Sequence, residues 1–284
     1  MIKFTATKNA SVLSNLKGKV SKTTIGKIKQ NGETLVGGEV CKMSKIVKIG
    51  DEIILKLPKK PQPKIVPYFC DIEIAFENDD MIILEKPAGM PTHTSKGNRE
   101  TTLENAYLGM LAKRGEDLSN FTFHPITRLD GETSGLVLVA KNPVSAAVLS
   151  RDMQNGKIKK TYLAVANGKI KSDFTCEIKM GRLEAGKPHR WQTENGKNSV
   201  THFKIIKEIH GDTLLEVTPQ TGRTHQIRVH LAFLRHAIKG DKLYQNGGLL
   251  AGEKPNSRLM LHMWKLEMSG KVVESGGGST QFGL

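Results

Sequence analysis

Thr127-Arg-Leu-Asp-Gly-Glu-Thr-Ser-Gly-Leu-Val-Leu-Val-Ala-Lys141 sets a polar turn directly against an apolar run. Gly135 to Ala140 has the length and continuous apolarity of a strand buried on both faces. Thr133-Ser-Gly135 supplies turn residues that lead the chain into that strand. Asn142-Pro143 follows, a place where a helix can begin, with proline at its first position. Arg128 and Asp130 therefore sit on a tight loop at the mouth of a sheet, where chemistry is often placed. On these residues alone two readings stand: a carboxylate held for reaction, or an Arg/Asp pair that caps a loop.

Outward from this stretch the same pattern repeats. Met81–Glu85 reads as a strand running into the turn Lys86-Pro-Ala-Gly89. Thr161–Ala166, Ser199–Ile206 and Thr213–Thr218 read as further strands. Val144–Met153 and His225–Leu234 have helical apolar spacing. Strands with a few helices, and no strict strand–helix alternation, predict an α+β fold with a mainly antiparallel sheet and flanking helices.

The chain has 284 residues, which suits one large and one small domain, and its formal net charge is +15. Residues 1–60 hold 13 Lys and 4 acidic residues, so they carry more than half of that excess. Such a concentration of positive charge predicts a polyanionic partner. Within it, Ser21–Gln30 reads as a short helix with Ser21 as N-cap, and Lys22 and Lys27 on or beside it are the candidate phosphate contacts. The alternative is that these lysines only keep the domain in solution. The expected organisation is a small basic α/β RNA-binding domain over 1–58, a proline-rich linker over 59–67, a catalytic domain over 68–270 and a flexible Gly/Ser-rich tail over 271–284.

Several classes are excluded. No apolar run approaches a membrane span, and the N-terminus has no apolar signal-peptide core. Cys41, Cys70 and Cys176 stand far apart without a Cys-x-x-Cys pair, which argues against a disulfide framework or zinc ribbon and fits a reducing cytoplasm. Gly181–Lys187 has P-loop spacing, but Pro188 stands where a Ser or Thr should hold magnesium. His225, His230 and His236 lack the i, i+4 zinc spacing. Gly131–Gly135 has its Ser one place late for a nucleophile elbow. Neither a metal nor an organic cofactor is expected.

Two further segments carry polar groups of interest. In Thr218-Pro-Gln-Thr-Gly-Arg-Thr-His-Gln-Ile-Arg-Val-His-Leu231, polar residues crowd the start of an apolar helix. Arg223 falls at the strand-to-helix turn, where a guanidinium could pair with a carboxylate; a surface Arg in a turn is the plain alternative. In Lys159-Lys-Thr-Tyr162, Tyr162 could stack on a base while lysines such as Lys160 meet phosphates; a core tyrosine in a strand is the alternative.

Taken together, Arg128-Leu-Asp-Gly-Glu-Thr-Ser-Gly135, Lys160-Thr-Tyr162 and Thr221–Leu231 resemble the motifs of the RluA-type pseudouridine synthases, in order. The resemblance covers most of residues 68–268, with weaker echoes at Lys86–Gly89, Gly240–Tyr244 and Arg258–His262. Residues 1–58 resemble a small RNA-binding domain shared with a ribosomal small-subunit protein, although Val36-Gly-Gly38 stands where Val-Asn-Gly is usual. The resemblance implies the pseudouridine synthase fold and isomerisation of specific uridines in structured RNA, with ribosomal RNA expected ahead of transfer RNA; a cytoplasmic monomer is expected. It implies that Asp130 is the essential carboxylate, nucleophile or base, that Arg223 pairs with it, that Tyr162 stacks on the uracil, and that Arg128 fills the space left by a flipped nucleotide. Base flipping is required, because a stacked base cannot turn over. Gly131 departs from the larger, often basic residue usual after the aspartate, and the segment after Met268 is expected to make no substrate contacts. The reading from another class is a non-catalytic RNA-binding or ribosome-assembly protein on the same scaffold.

Overall fold

The computed structural model describes residues 2–56, 65–94, 100–184, 189–249, 257–268, 270–277 and 282. The N-terminal unit comprises β1 (Ile2–Thr5), β2 (Ala10–Ser11), α1 (Val12–Leu16), α2 (Lys22–Asn31), β3 (Glu33–Val36), β4 (Glu39–Val40), β5 (Ile46–Val47) and β6 (Glu52–Lys56). Its main sheet runs β1-β6-β3-β4, and β2 pairs with β5 beside it. Val12, Leu16, Ile28, Val47, Ile53 and Leu55 form a separate small core. The N-cap expected at Ser21 is present: its hydroxyl accepts the Thr24 N–H at 3.1 Å. Lys22 and Lys27 on α2 are exposed. The expected linker lies largely outside the described residues, as do positions 185–188 of the P-loop-like segment.

The larger unit comprises β7 (Ile74–Glu77), β8 (Met81–Lys86), α3 (Leu103–Lys113), β9 (His124–Pro125), β10 (Ser134–Ala140), α4 (Pro143–Gln154), β11 (Ile158–Ala166), β12 (Phe174–Arg182), β13 (Arg190–Gln192), β14 (Lys197–Ile209), β15 (Asp212–Pro219), α5 (Gln226–Phe233), β16 (Tyr244–Gln245), β17 (Gly248–Leu249), β18 (Leu261–Met268) and β19 (Lys271–Glu274). One sheet runs β13-β12-β14-β15-β11-β18-β10-β8-β7. Among the described residues its pairings are antiparallel except β10 with β18, which are parallel over Ser134 and Gly135. This is the expected α+β fold with a mainly antiparallel sheet.

Every residue of β10 is buried, as its unbroken apolar run predicts. Gly135, at φ +111°, has to be glycine because a Cβ there would run into the Met263 backbone. Asn142 caps α4 by accepting the N–H groups of Val144 and Ser145, with Pro143 in the first turn. From α4, Arg151 donates to the Gly18 carbonyl of the N-terminal unit at 2.7 Å. Helix α3 was not expected. Its middle holds Gly109, where a Cβ would strike the Tyr68 backbone crossing over it, and its start is fixed by a capping box between Thr102 and Asn105.

The flexible tail expected from residue 271 is corrected by β19. Strand β10 leaves β18 after two paired residues, so Lys265–Met268 would present an open edge, and β19 pairs with it. Open edges are costly and are commonly covered in this way. Ser275 and Phe282 are buried as well, Phe282 beside Leu163, Val165 and Leu214. Among the described residues no helix is long and apolar enough to cross a membrane.

Candidate active site

The loop that carries Asp130 is held from below by a buried cation. Lys86, fully buried at the end of β8, donates to the carbonyls of Pro87 at 2.8 Å, Met90 at 2.7 Å and Gly131 at 3.1 Å. These three acceptors use all the donors of an ammonium group. Burial pulls the Lys86 pKa down to about 7, while the charges of Asp130 and Glu132 oppose that fall. Thr92 fixes the loop's other side, its hydroxyl donating to the Leu129 carbonyl at 2.8 Å. The Thr133 N–H closes the turn onto the Asp130 carbonyl at 3.1 Å. A side chain at Gly131 would meet only Pro91, at 4.0 Å, so the glycine there is not demanded by packing.

Asp130 opens into a cleft of about 320 Å³ whose lining includes Arg128, Lys160, Tyr162, Arg223, His225 and Arg228. Its Oδ2 lies 4.0 Å from Nη1 of Arg228 and 3.9 Å from Nε2 of His225. Arg228 is buried on α5, and its Nε and Nη2 donate to the two oxygens of Asp241 at 2.7 and 2.6 Å. This two-pronged geometry fixes the guanidinium plane. Burial works against the Arg228 charge, but Asp241 and then Asp130 outweigh it and raise the pKa. Arg228 also lies 5.3 Å from the Tyr244 ring centre, in cation–π range. Asp241 in turn accepts the N–H groups of Leu243 and Tyr244. The third nitrogen of Arg228 is thereby left facing Asp130, so one buried carboxylate aims the cation at a second, partly exposed one.

Five of the expected site residues meet in this cleft: Asp130, Arg128, Lys160, Tyr162 and Arg223. Lys22 and Lys27 belong to the N-terminal unit and do not line it. Tyr162 is buried on β11 at a register shift against β18. Burial, with the Asp130 charge adding to it, raises its phenol pKa well beyond the usual range. Lys160 also lines the cleft, and burial lowers its pKa. Arg128 is exposed.

The expected pairing of Arg223 with Asp130 is corrected. Arg223 is exposed in the turn before α5, and its Nε donates to the Asn198 carbonyl at 3.1 Å. The group that approaches Asp130 is Arg228, five residues on. Gln226 accepts the Arg223 N–H at 3.0 Å and also ties to Thr201 and Thr221, which keeps that turn against β14. Sequence reasoning gave no role to His225, Asp241, Tyr244 or Lys86. A signal for Arg228 was present: a charged residue between Ile227 and Val229 on an apolar helix must be paired if it is buried. Among the described residues, no three His, Cys, Asp or Glu side chains gather in a metal-binding arrangement.

Comparison with known proteins identifies the family. A family model described as RNA pseudouridylate synthase matches residues 80–233, a span that includes Asp130, Tyr162 and Arg228. The RNA pseudouridine synthase YhcT of Bacillus subtilis is 34% identical over 252 residues, covering 88% of this chain and 81% of its own. Ribosomal large subunit pseudouridine synthase D of Nitrosomonas europaea is 34% identical over 205 residues, covering 70% of this chain and 58% of its own. Among solved structures, human RNA pseudouridylate synthase domain containing 1 superposes with a TM-score of 0.57 at 25% identity, covering 72% of this chain and 82% of its own. The chain belongs to the RNA pseudouridine synthase family, isomerases that convert uridine in RNA to pseudouridine.

Proposed function

We propose that this chain isomerises specific uridines of ribosomal RNA, with Asp130 as the essential carboxylate. The observation that carries the reading is one carboxylate, a quarter exposed, held at the cleft between Arg228 and His225 with Tyr162 in the same lining. In the reaction the N1–C1′ bond breaks and a C5–C1′ bond forms to the same sugar. C5 loses a proton and N1 gains one, so no oxidant or reductant is needed. An anion at Asp130 serves either as nucleophile toward the sugar or as base. Tyr162 stacks on the uracil, and Arg128 takes the space left by the flipped nucleotide. Lys160 and Arg223 meet phosphates or the base edge in the same cleft. The relatives named for large-subunit ribosomal RNA favour that substrate over transfer RNA.

Lys22 and Lys27 on α2 give a separate grip on the RNA backbone. The enzyme is expected to act as a monomer and to work in the cytoplasm, away from membranes. The decisive experiment maps pseudouridine in ribosomal and transfer RNA with and without the gene. A site lost from ribosomal RNA and restored by the wild-type gene, but not by Asp130→Asn, supports the whole reading. A loss confined to transfer RNA overturns the substrate, and no loss overturns the activity.

A further inference from the structure

His225 stands in a backbone conformation that non-glycine residues seldom adopt. Its φ is +59° and ψ is +18°, the left-handed region, which favours Gly and, among the other residues, Asn, Asp and His. It occupies the N-cap position of α5 yet makes no side-chain cap hydrogen bond. An N-cap ordinarily uses its side chain to satisfy the first helix N–H groups. Here the ring is turned away from that task and into the cleft. Strain of this kind persists only where surrounding structure enforces it, and it gathers at working sites.

The ring's surroundings determine which nitrogen carries the proton. Nδ1 lies 2.8 Å from the Tyr244 hydroxyl. That hydroxyl already accepts the Arg190 N–H at 3.1 Å. Burial raises the Tyr244 pKa, so the phenol keeps its proton. A buried O–H needs an acceptor, and His225 Nδ1 is within reach of it. Nδ1 is then the unprotonated nitrogen, and the neutral ring carries its hydrogen on Nε2. Nε2 is the atom 3.9 Å from Asp130 Oδ2. That gap exceeds a hydrogen bond, but catalytic contacts are often long in the free enzyme and tighten around substrate.

We propose that Tyr244 and His225 form a tautomer-locked pair that presents an Nε2–H to Asp130, making His225 a positioning residue for the reacting carboxylate. The inference rests on Asp130 being that carboxylate, as proposed above. Arg228 then supplies the charge beside Asp130, and His225 supplies a neutral donor that fixes its orientation. The charged or titratable groups facing the ring are Asp130 from the catalytic loop, Arg228 from α5, Asp241 from the following segment, Tyr244 from β16 and Arg190 from β13. Burial lowers the His225 pKa and Asp130 acts against that fall, so the ring is neutral at neutral pH.

The test reads the ring directly. In protein labelled with ¹⁵N-histidine, long-range ¹H–¹⁵N spectra report the tautomer, with the His225 signals identified by their loss in His225→Gln. The expected result is protonation on Nε2 in the wild type, a mixture of tautomers in Tyr244→Phe, and titration at a lower pH in Asp130→Asn than in wild type. Protonation on Nδ1, or a titration unmoved by Asp130→Asn, overturns the proposal. A second arm follows tritium release from ribosomal RNA labelled at uridine C5. Gln places an amide N–H near the position of Nε2, whereas Asn places one near Nδ1. Asn is the better residue for a left-handed backbone, so a purely structural role favours Asn. Turnover in His225→Gln exceeding that of His225→Asn by about tenfold supports the positioning role, an effect of the size that removing an outer-shell partner produces. Equal turnover, or more in the Asn variant, overturns it. The tautomer is read without RNA, so it stands apart from whether Asp130 reacts, which the turnover of Asp130→Asn decides.

Discussion

Asp130 and Lys22 lie in regions built on opposite terms. Around Asp130 the charges answer one another at short range: Arg228 by Asp241, and the Lys86 ammonium by three carbonyls. Around Lys22 and Lys27 the side chains are exposed, and among the described residues neither enters an ion pair. Residues 1–60 nonetheless hold more than half of the chain's net charge. Chemistry at one sugar needs atoms held to a fraction of an ångström, which only buried, mutually paired groups provide. Attraction to a phosphate backbone needs positive charge that can shift along a polymer, and exposed lysines supply it without fixed geometry. The difference teaches that substitutions in the two regions should fail differently, in turnover for one and in salt-dependent affinity for the other.

The largest effect is expected at Asp130. Asp130→Asn keeps the shape and removes the charge. Turnover should fall below about a hundredth of wild type, as loss of an essential group does, while RNA affinity measured by filter binding changes little. Comparable losses of both would erase the contrast between the regions.

Next come the groups that aim the cation. Breaking a buried pair typically costs about 3–5 kcal/mol, because one charge is left unanswered. Asp241→Asn should therefore lower stability in chemical denaturation by that order and depress turnover with it. Arg223→Ala, at an exposed position, should leave stability within about 0.5 kcal/mol of wild type. The reverse ranking would return Arg223 to the role the sequence suggested for it.

Acid should weaken the large unit more than the small one. Burial lowers the pKa of both His230 and His262 to about 4. A folded-state pKa below the unfolded value of about 6.5 means that the unfolded chain binds more protons between those limits. Stability from these two groups is complete above about pH 6.5 and is lost as pH falls toward 4, by on the order of 3 kcal/mol for each. Urea midpoints measured across that interval should fall, and should fall less in His262→Asn. The described part of the N-terminal unit has no histidine, so its own unfolding should not follow this curve.

A smaller effect is expected at Tyr162. Base–aromatic stacking is worth about 1–3 kcal/mol. Tyr162→Phe should keep most RNA affinity and Tyr162→Leu should lose that amount. Equal binding and turnover in all three proteins would assign Tyr162 to packing alone.

The mildest change sharpens the other side of the comparison. Lys22→Glu with Lys27→Glu should leave single-turnover rates at saturating RNA unchanged. The slope of log affinity against log salt should become shallower by about 0.7–0.9 for each phosphate that the two side chains no longer neutralise. An unchanged slope would make these lysines solubilising groups.

Local signals carried much of this molecule. The unbroken apolar run of β10, the Asn142-Pro143 start of α4 and the Ser21 cap of α2 were legible because each depends on neighbours in the chain. Helix α3 was not, because Gly109 weakens it as an isolated helix and is required only where Tyr68 crosses it. Strand β19 was not, because its partner edge exists only after β10 has turned away from β18. In the candidate site, Asp130 and Tyr162 were singled out through the family resemblance, because spacing alone left each with a plain structural alternative. Arg228 was displaced by Arg223, since both lie in one segment and their burial cannot be read from order alone.

The sequence by itself determined the α+β class, the loop that bears Asp130, the basic N-terminal unit and the kinship with pseudouridine synthases, all properties of residue type and order. Tertiary structure alone decided which arginine meets Asp130, which carboxylate aims that arginine and which nitrogen of His225 faces Asp130. Those choices rest on Asp130, Arg190, Arg228, Asp241 and Tyr244 converging from separate elements. Coulombic and hydrogen-bond energies fall steeply over a few ångströms, and such distances are set only when the elements pack together.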